Sequence, residues 1–313
     1  MIAEPLVAWN HGIRLAGTLW MPMRTPRALV MMHPGSGPSD RDNDVLFPPI
    51  RNALLDAAVA VCSFDKRGVG GSSGSWLEAG ITAQAEDLLA GTSAAKTALG
   101  EIPTGLFGHS QGGWVVLEAA TAQSPEFVIT NSGPAVSPRE QETYSTLRSL
   151  QRRGCADAVV REAMAEFRQI MNLLELPFEV GWTEVEKRTR VPELLDAGAF
   201  IPSDPALWAF ASQIIDHDPR PALRDLTVPL LSLYGEDDSV VPVQDSAAIV
   251  RSLVPSELLD LRIFPGGDHR IEIHDEFVDG YLESVVDFVD RVVHEAWKDE
   301  IRGVTDPVNR SGR

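Results

Sequence analysis

The run Gly108-His109-Ser110-Gln111-Gly112-Gly113 constrains the fold of this chain more than any other stretch. A strand-like run, Gly105-Leu106-Phe107, leads into it, and a helical run, Trp114-Val115-Val116-Leu117-Glu118-Ala119-Ala120, leaves it. Strand, sharp turn and helix around G-x-S-x-G make a nucleophile elbow, in which small residues are needed because the strained turn leaves no room for side chains. The geometry lifts the Ser110 hydroxyl above the sheet edge and aims the first amides of the next helix at whatever it attacks.

The surrounding pattern tells what sheet carries that turn. Leu6 to Trp20 alternates around Asn10-His11-Gly12 and reads as a β-hairpin. Ala28–Met32, Ala60–Phe64 and Phe127–Thr130 are buried apolar runs, as in strands covered on both faces, and the sheet resumes at Val228–Tyr234 and again at Leu258–Phe264. Helical stretches fall between them: Phe47 to Val59, opened by Pro48-Pro49, Thr82 to Leu99, Gln244 to Leu253 and Phe277 to Val293. Strands alternating with helices imply a mostly parallel sheet with helices on both faces. From about Pro138 to Asp218 the rhythm changes to helical stretches broken by Gly154, Pro177, Gly181, Pro192, Pro202 and Pro205, with Met164, Phe167, Met171 and Leu174 on one helical face. The expected organisation is a core of residues 1–133 and 219–313 with an all-helical cap, residues 134–218, inserted where it can cover the nucleophile. The polar tail from Gly303 is expected to fray.

Composition narrows the function classes. A net charge of −18 argues against nucleic acid or an anionic membrane as partner, since both select a basic face. Much of the acidity lies between Asp275 and Glu300 and reads as the solvated face of a C-terminal helix. The glycines of Asp65-Lys66-Arg67-Gly68-Val69-Gly70-Gly71 lack dinucleotide or P-loop spacing, which sets nucleotide binding aside. Two distant cysteines, Cys62 and Cys155, give no disulfide framework, and no window is long and apolar enough to span a bilayer. A cytoplasmic protein acting on a small molecule is expected, its oligomeric state open to a homo-oligomer.

A serine hydroxyl needs a base, and the base needs a group to fix its tautomer. Of the seven histidines, His269 alone follows a late strand behind two glycines, in Pro265-Gly266-Gly267-Asp268-His269. Gly235-Glu236-Asp237-Asp238-Ser239-Val240-Val241-Pro242 supplies the acid, with Asp238 preferred and Asp237 the alternative; Asn131-Ser132-Gly133-Pro134, after the preceding strand, holds no carboxylate. The order Ser110, Asp238, His269 is that of one serine-hydrolase architecture and differs from the others. The backbone N–H groups of Gln111 and, in the loop His33-Pro34-Gly35-Ser36-Gly37, of Ser36 are the expected oxyanion donors; Pro34 has no N–H.

These motifs, with Gly35-Ser36-Gly37-Pro38-Ser39-Asp40-Arg41-Asp42 and Asp65-Lys66-Arg67-Gly68-Val69-Gly70, resemble the α/β-hydrolase superfamily on its serine aminopeptidase-like and cinnamoyl-esterase-like branch. The resemblance spans Ile13 to about Val293, helical cap included. One departure is His33-Pro34-Gly35, where the family has His-Gly directly. The resemblance implies esterase, lipase-like, thioesterase or peptidase chemistry without metal or organic cofactor. The leading expectation is hydrolysis of a carboxylic ester with an apolar acyl or aryl group through an acyl-enzyme, with activity falling on the acid side as the imidazole base, ordinarily near pKa 6.5, protonates. Cap aromatics, Trp182, Trp208, Phe167 and Phe210, are the expected substrate contacts. The rival readings are an amidase or peptidase, a thioesterase, an acyl-transfer or lactone-forming enzyme on the same triad, and a non-catalytic binding protein on a hydrolase scaffold.

Overall fold

The computed structural model describes residues 1–305, with side chains through His294. Strands β1 (Ile2–Asn10) and β2 (Ile13–Met21) form the expected hairpin, closed by His11 and Gly12, both at positive φ as a two-residue turn requires. Then follow β3 (Ala28–His33), α1 (Phe47–Asp56), β4 (Val59–Phe64), α2 (Ile81–Leu99), β5 (Thr104–His109), α3 (Gln111–Ala122) and β6 (Phe127–Asn131). The cap stretch holds α4 (Pro138–Arg152), α5 (Asp157–Leu173), α6 (Phe178–Val185), α7 (Val191–Asp196) and α8 (Pro205–Ile214), with no strand among them. The chain then runs through α9 (Arg220–Arg224), β7 (Leu230–Gly235), α10 (Val243–Leu253), β8 (Leu259–Phe264), the two-residue strands β9 (Glu272–Ile273) and β10 (Glu276–Phe277), and α11 (Tyr281–Thr305).

Eight strands make one sheet in the order β1-β2-β4-β3-β5-β6-β7-β8. Pairing is parallel from β4 to β8, and β2 alone runs against its neighbours. The continuous apolar runs are explained by what covers each face. Leu29, Met31, Cys62, Leu106 and Val128 pack under α2 and α3, while the alternate Val30, Met32, Val61, Phe107 and Ile129 pack under α1 and α11. The helical stretch between β6 and β7 has a core of its own, in which Met164, Phe167, Met171 and Leu174 meet Leu150, Val185, Leu194 and Trp208.

Some expected boundaries shift. The helix over Phe47 to Val59 stops at Asp56, because Ala58 turns to φ 60° and Val59 is already paired with Ala28 in the sheet. Phe277 does not open the last helix but pairs with Glu272 in the small β9–β10 hairpin. That last helix presents Glu283, Asp287 and Asp290 to solvent while Tyr281, Val285, Phe288 and Val292 are buried, as expected of an acidic outer face. Helix is assigned through Thr305; the rest of the polar tail lies outside the described residues.

Candidate active site

Parallel strands end on the same edge, so the loops after β3, β5, β7 and β8 meet there. Ser110 occupies the turn between β5 and α3 with φ 53° and ψ −122°, a conformation costly for a residue with a side chain. Its glycine neighbours are required by packing: a Cβ on Gly108 would lie 2.0 Å from the Gly112 carbonyl oxygen, and one on Gly112 would lie 2.5 Å from the His33 carbonyl oxygen. The turn is held from the next strand by the Ser110 N–H, which donates to the Asn131 carbonyl at 2.9 Å.

The histidine and the acid expected from the later loops stand in line with that serine. Ser110 Oγ lies 3.0 Å from His269 Nε2, and His269 Nδ1 lies 2.8 Å from Asp238 Oδ2. The other Asp238 oxygen accepts the N–H groups of Val240 and Val241 at 2.7 and 2.9 Å, so the buried carboxylate is fully engaged. Asp237, the alternative acid, is exposed. From the cap side, the Tyr144 hydroxyl donates to the Asp238 carbonyl at 3.0 Å and Gln141 Nε2 to the Val240 carbonyl at 3.2 Å. Helix α4 therefore fastens the acid loop, and a capping box between Ser137 and Glu140 fixes where that helix begins. The histidines set aside as bases serve otherwise. His109 is buried beside Asn131, and burial first, then the neighbouring His269 and Arg270, hold it well below the usual imidazole range. His33 contacts Gln84 at 3.2 Å, and burial, followed by the charge of Lys66, lowers it to about 3.

The loop after β3 lies against the nucleophile: a Cβ on Gly35 would sit 3.5 Å from Ser110 Cβ. Its amides are not equivalent. The Gly35 N–H donates to Asn43 Oδ1 at 3.0 Å, whereas the Ser36 N–H has no acceptor among the described residues. On the other side Gln111 is the first residue of α3, so its N–H is one of those a helix leaves without an internal partner. Ser36 and Gln111 line the same cavity. The loop is braced from behind by Arg41, which binds Asp65 through two guanidinium contacts of 2.9 and 2.6 Å. Burial alone would raise the Asp65 carboxyl, but Arg41 and the Gly71 amide outweigh it and hold it low.

That cavity, about 240 Å³, is walled by Trp76, Trp114, Phe200, Phe210, Ile214, Ile215 and Val240. Of the four cap aromatics expected to meet substrate, Phe210 lines it. Phe167 and Trp208 turn inward to the cap core, the Trp208 indole donating to the Leu176 carbonyl at 2.9 Å, and Trp182 stacks on Phe178 at 6.0 Å on the edge of that core. Trp76, which opens a single 3-10 turn (Trp76–Glu78) before α2, and Trp114, in the elbow helix, take the places expected of the aromatics between residues 134 and 218. Glu142 was likewise missed. It is the one ionisable side chain on the cavity wall, it has no cationic partner within 4 Å among the described residues, and burial pushes it up to about 7. No group of acidic, histidine or cysteine side chains arranged to hold a metal occurs among the described residues.

Known proteins share this architecture. The chain is 24% identical over 276 residues to a monoacylglycerol lipase of Mycolicibacterium smegmatis, covering 86% of this chain and 90% of that protein. The structure of Est1E from Butyrivibrio proteoclasticus with ferulic acid bound superposes with a TM-score of 0.60 at 20% identity, over 93% of this chain and 98% of that one. Proline iminopeptidase from Mycobacterium smegmatis does so with a TM-score of 0.63 at 18% identity, over 94% and 100%. Residues 25–276 match the Hydrolase_4 family, described as serine aminopeptidase, S33, and the chain is an α/β hydrolase of that family.

Proposed function

We propose that this protein cleaves a carboxylic ester of a small or medium-sized substrate bearing an apolar acyl or aryl group. The observation that carries the reading is the continuous Ser110–His269–Asp238 contact chain beside a largely apolar cavity. Ser110 attacks the carbonyl as His269 takes its proton, and Asp238 holds the imidazole with Nε2 toward the serine and balances its charge. The oxyanion is received by the N–H groups of Gln111 and Ser36, each worth roughly 3 kcal/mol in the transition state. His269 then protonates the leaving alcohol, and a water activated by the same imidazole releases the acid. Unpaired Cys62 and Cys155 support placing this chemistry in the cytoplasm.

The test is a panel of esters sharing one alcohol. Medium acyl and aryl esters are expected to exceed acetate in kcat/KM by about tenfold or more, since each buried methylene contributes roughly 0.8 kcal/mol. Phe210→Ala should flatten that ranking, and an equal or reversed ranking in the wild type would contradict the apolar pocket. Glu142 favours a second reading, an amidase or peptidase, because a lone carboxylate in an apolar cavity suits a substrate with a cationic amine. Matched amides and esters, each with and without a free amine, separate the two.

A further inference from the structure

Lys66 follows β4 and its side chain is buried, although among the described residues no carboxylate lies within 4 Å of its ammonium. The adjacent Asp65 is committed to Arg41, and Arg67 on the other side to Asp87. An isolated buried ammonium is costly, and a methionine of the same length would fill the space without that cost. What the charge contacts explains its position. Nζ donates to the Gly35 carbonyl oxygen and, at 3.0 Å, to Gln111 Oε1.

Those two acceptors belong to the two halves of the oxyanion hole. The Gly35–Ser36 peptide is trans, so its C=O and N–H point in opposite directions from one rigid plane. Anchoring the Gly35 oxygen therefore fixes the direction of the Ser36 N–H, and a cation on that oxygen also polarises the N–H as a donor. The contact to the Gln111 side chain ties the first residue of α3, whose N–H is the other donor, to the same ammonium. We propose that Lys66 is a positioning residue that sets the two oxyanion donors relative to each other and to Ser110. This rests on the serine-hydrolase reading above and adds to it a residue that touches neither substrate nor triad.

The experiment compares wild type, Lys66→Met and Gln111→Met on one ester and measures inhibition by a trifluoromethyl ketone, whose serine adduct carries the oxyanion. Lys66→Met is expected to lower kcat about 10²-fold with KM within about threefold, and to weaken the ketone by a similar factor. Gln111→Met keeps the backbone N–H and removes the Lys66 anchor, leaving a side chain of similar length at the cavity wall, so a smaller loss, about tenfold, is expected in both quantities. Wild-type kcat and ketone affinity in Lys66→Met would overturn the proposal. Should that variant not fold, Gln111→Met decides: wild-type values overturn the proposal and a parallel loss in kcat and ketone affinity supports it. A wild-type protein without Ser110-dependent turnover would instead remove the hydrolase reading itself.

Discussion

At the scale of single residues, two adjacent carboxylates show how position decides role. Asp237 and Asp238 differ by one step along the loop, yet one is solvated and the other is buried with every oxygen engaged. Asp238→Asn should keep the shape but offer His269 a donor where it needs an acceptor, lowering kcat by about 10³- to 10⁴-fold. Asp237→Asn should stay within twofold of wild type in the same steady-state assay. Comparable losses in both would mean that the acid is not specified by the Asp238 contact. That Ser110, Asp238 and His269 would converge was legible from sequence because each follows a strand end with turn glycines or a proline restart. Lys66 was not, because in Asp65-Lys66-Arg67-Gly68 it reads as one basic residue of a glycine-rich loop, and its partners lie 31 and 45 residues away.

At the scale of elements, the elbow helix and the loop after β3 form one unit. A Cβ on Gly112 would lie within 2.8 Å of the Pro34 carbonyl oxygen as well as close to that of His33. Gly112→Ala is thus expected to displace the Ser36 loop and cost about 10² in kcat while leaving the far-ultraviolet spectrum unchanged, since alanine suits a helix. Unchanged kcat would show that the loop yields without consequence for the reaction. The sheet was readable because strands covered on both faces have continuous apolar runs. The stretch between β6 and β7 was readable as helical, but not in its packing: helical periodicity shows that Phe167 and Trp208 are buried, not whether they face its own core or the cavity beside Ser110. Trp76 escaped notice because no periodicity surrounds it, and the β9–β10 hairpin because two-residue strands carry no alternation.

At the scale of the molecule, two ionisable groups held away from their preferred charge state set a cost for the folded protein. Burial lowers Lys66 from its ordinary 10.5 to about 7 and raises Glu142 from 4.5 to about 7. For Lys66 the unfolded chain binds more protons between about 7 and 10.5, so its penalty is full below about 7 and is relieved as pH rises through that window. For Glu142 the folded chain binds more protons between 4.5 and about 7, so its penalty is absent at the acid end and full above about 7. Around Lys66 stand neutral His33 and the paired Asp65–Arg41 and Arg67–Asp87; around Glu142 stand Gln141, Ser145 and the apolar cavity wall. Lys66→Met should raise Tm fully at both pH 4.5 and pH 6 and by less at pH 8, and Glu142→Gln should raise it at pH 8 and not at pH 4.5. Each gain is of the order of a few kcal/mol. Thermal unfolding at these three pH values checks both signs; a Tm that falls in either variant at its own pH would show that the charge stabilises the fold.

The central claim is that Ser110 is activated by His269 and Asp238, and intact-protein mass after exposure to a fluorophosphonate tests it most directly. Wild type should gain one adduct, Ser110→Ala none, and His269→Ala should react at least about 10³-fold more slowly. A folded wild-type protein that gains no adduct, or a Ser110→Ala variant that labels as fast as wild type, would contradict the account.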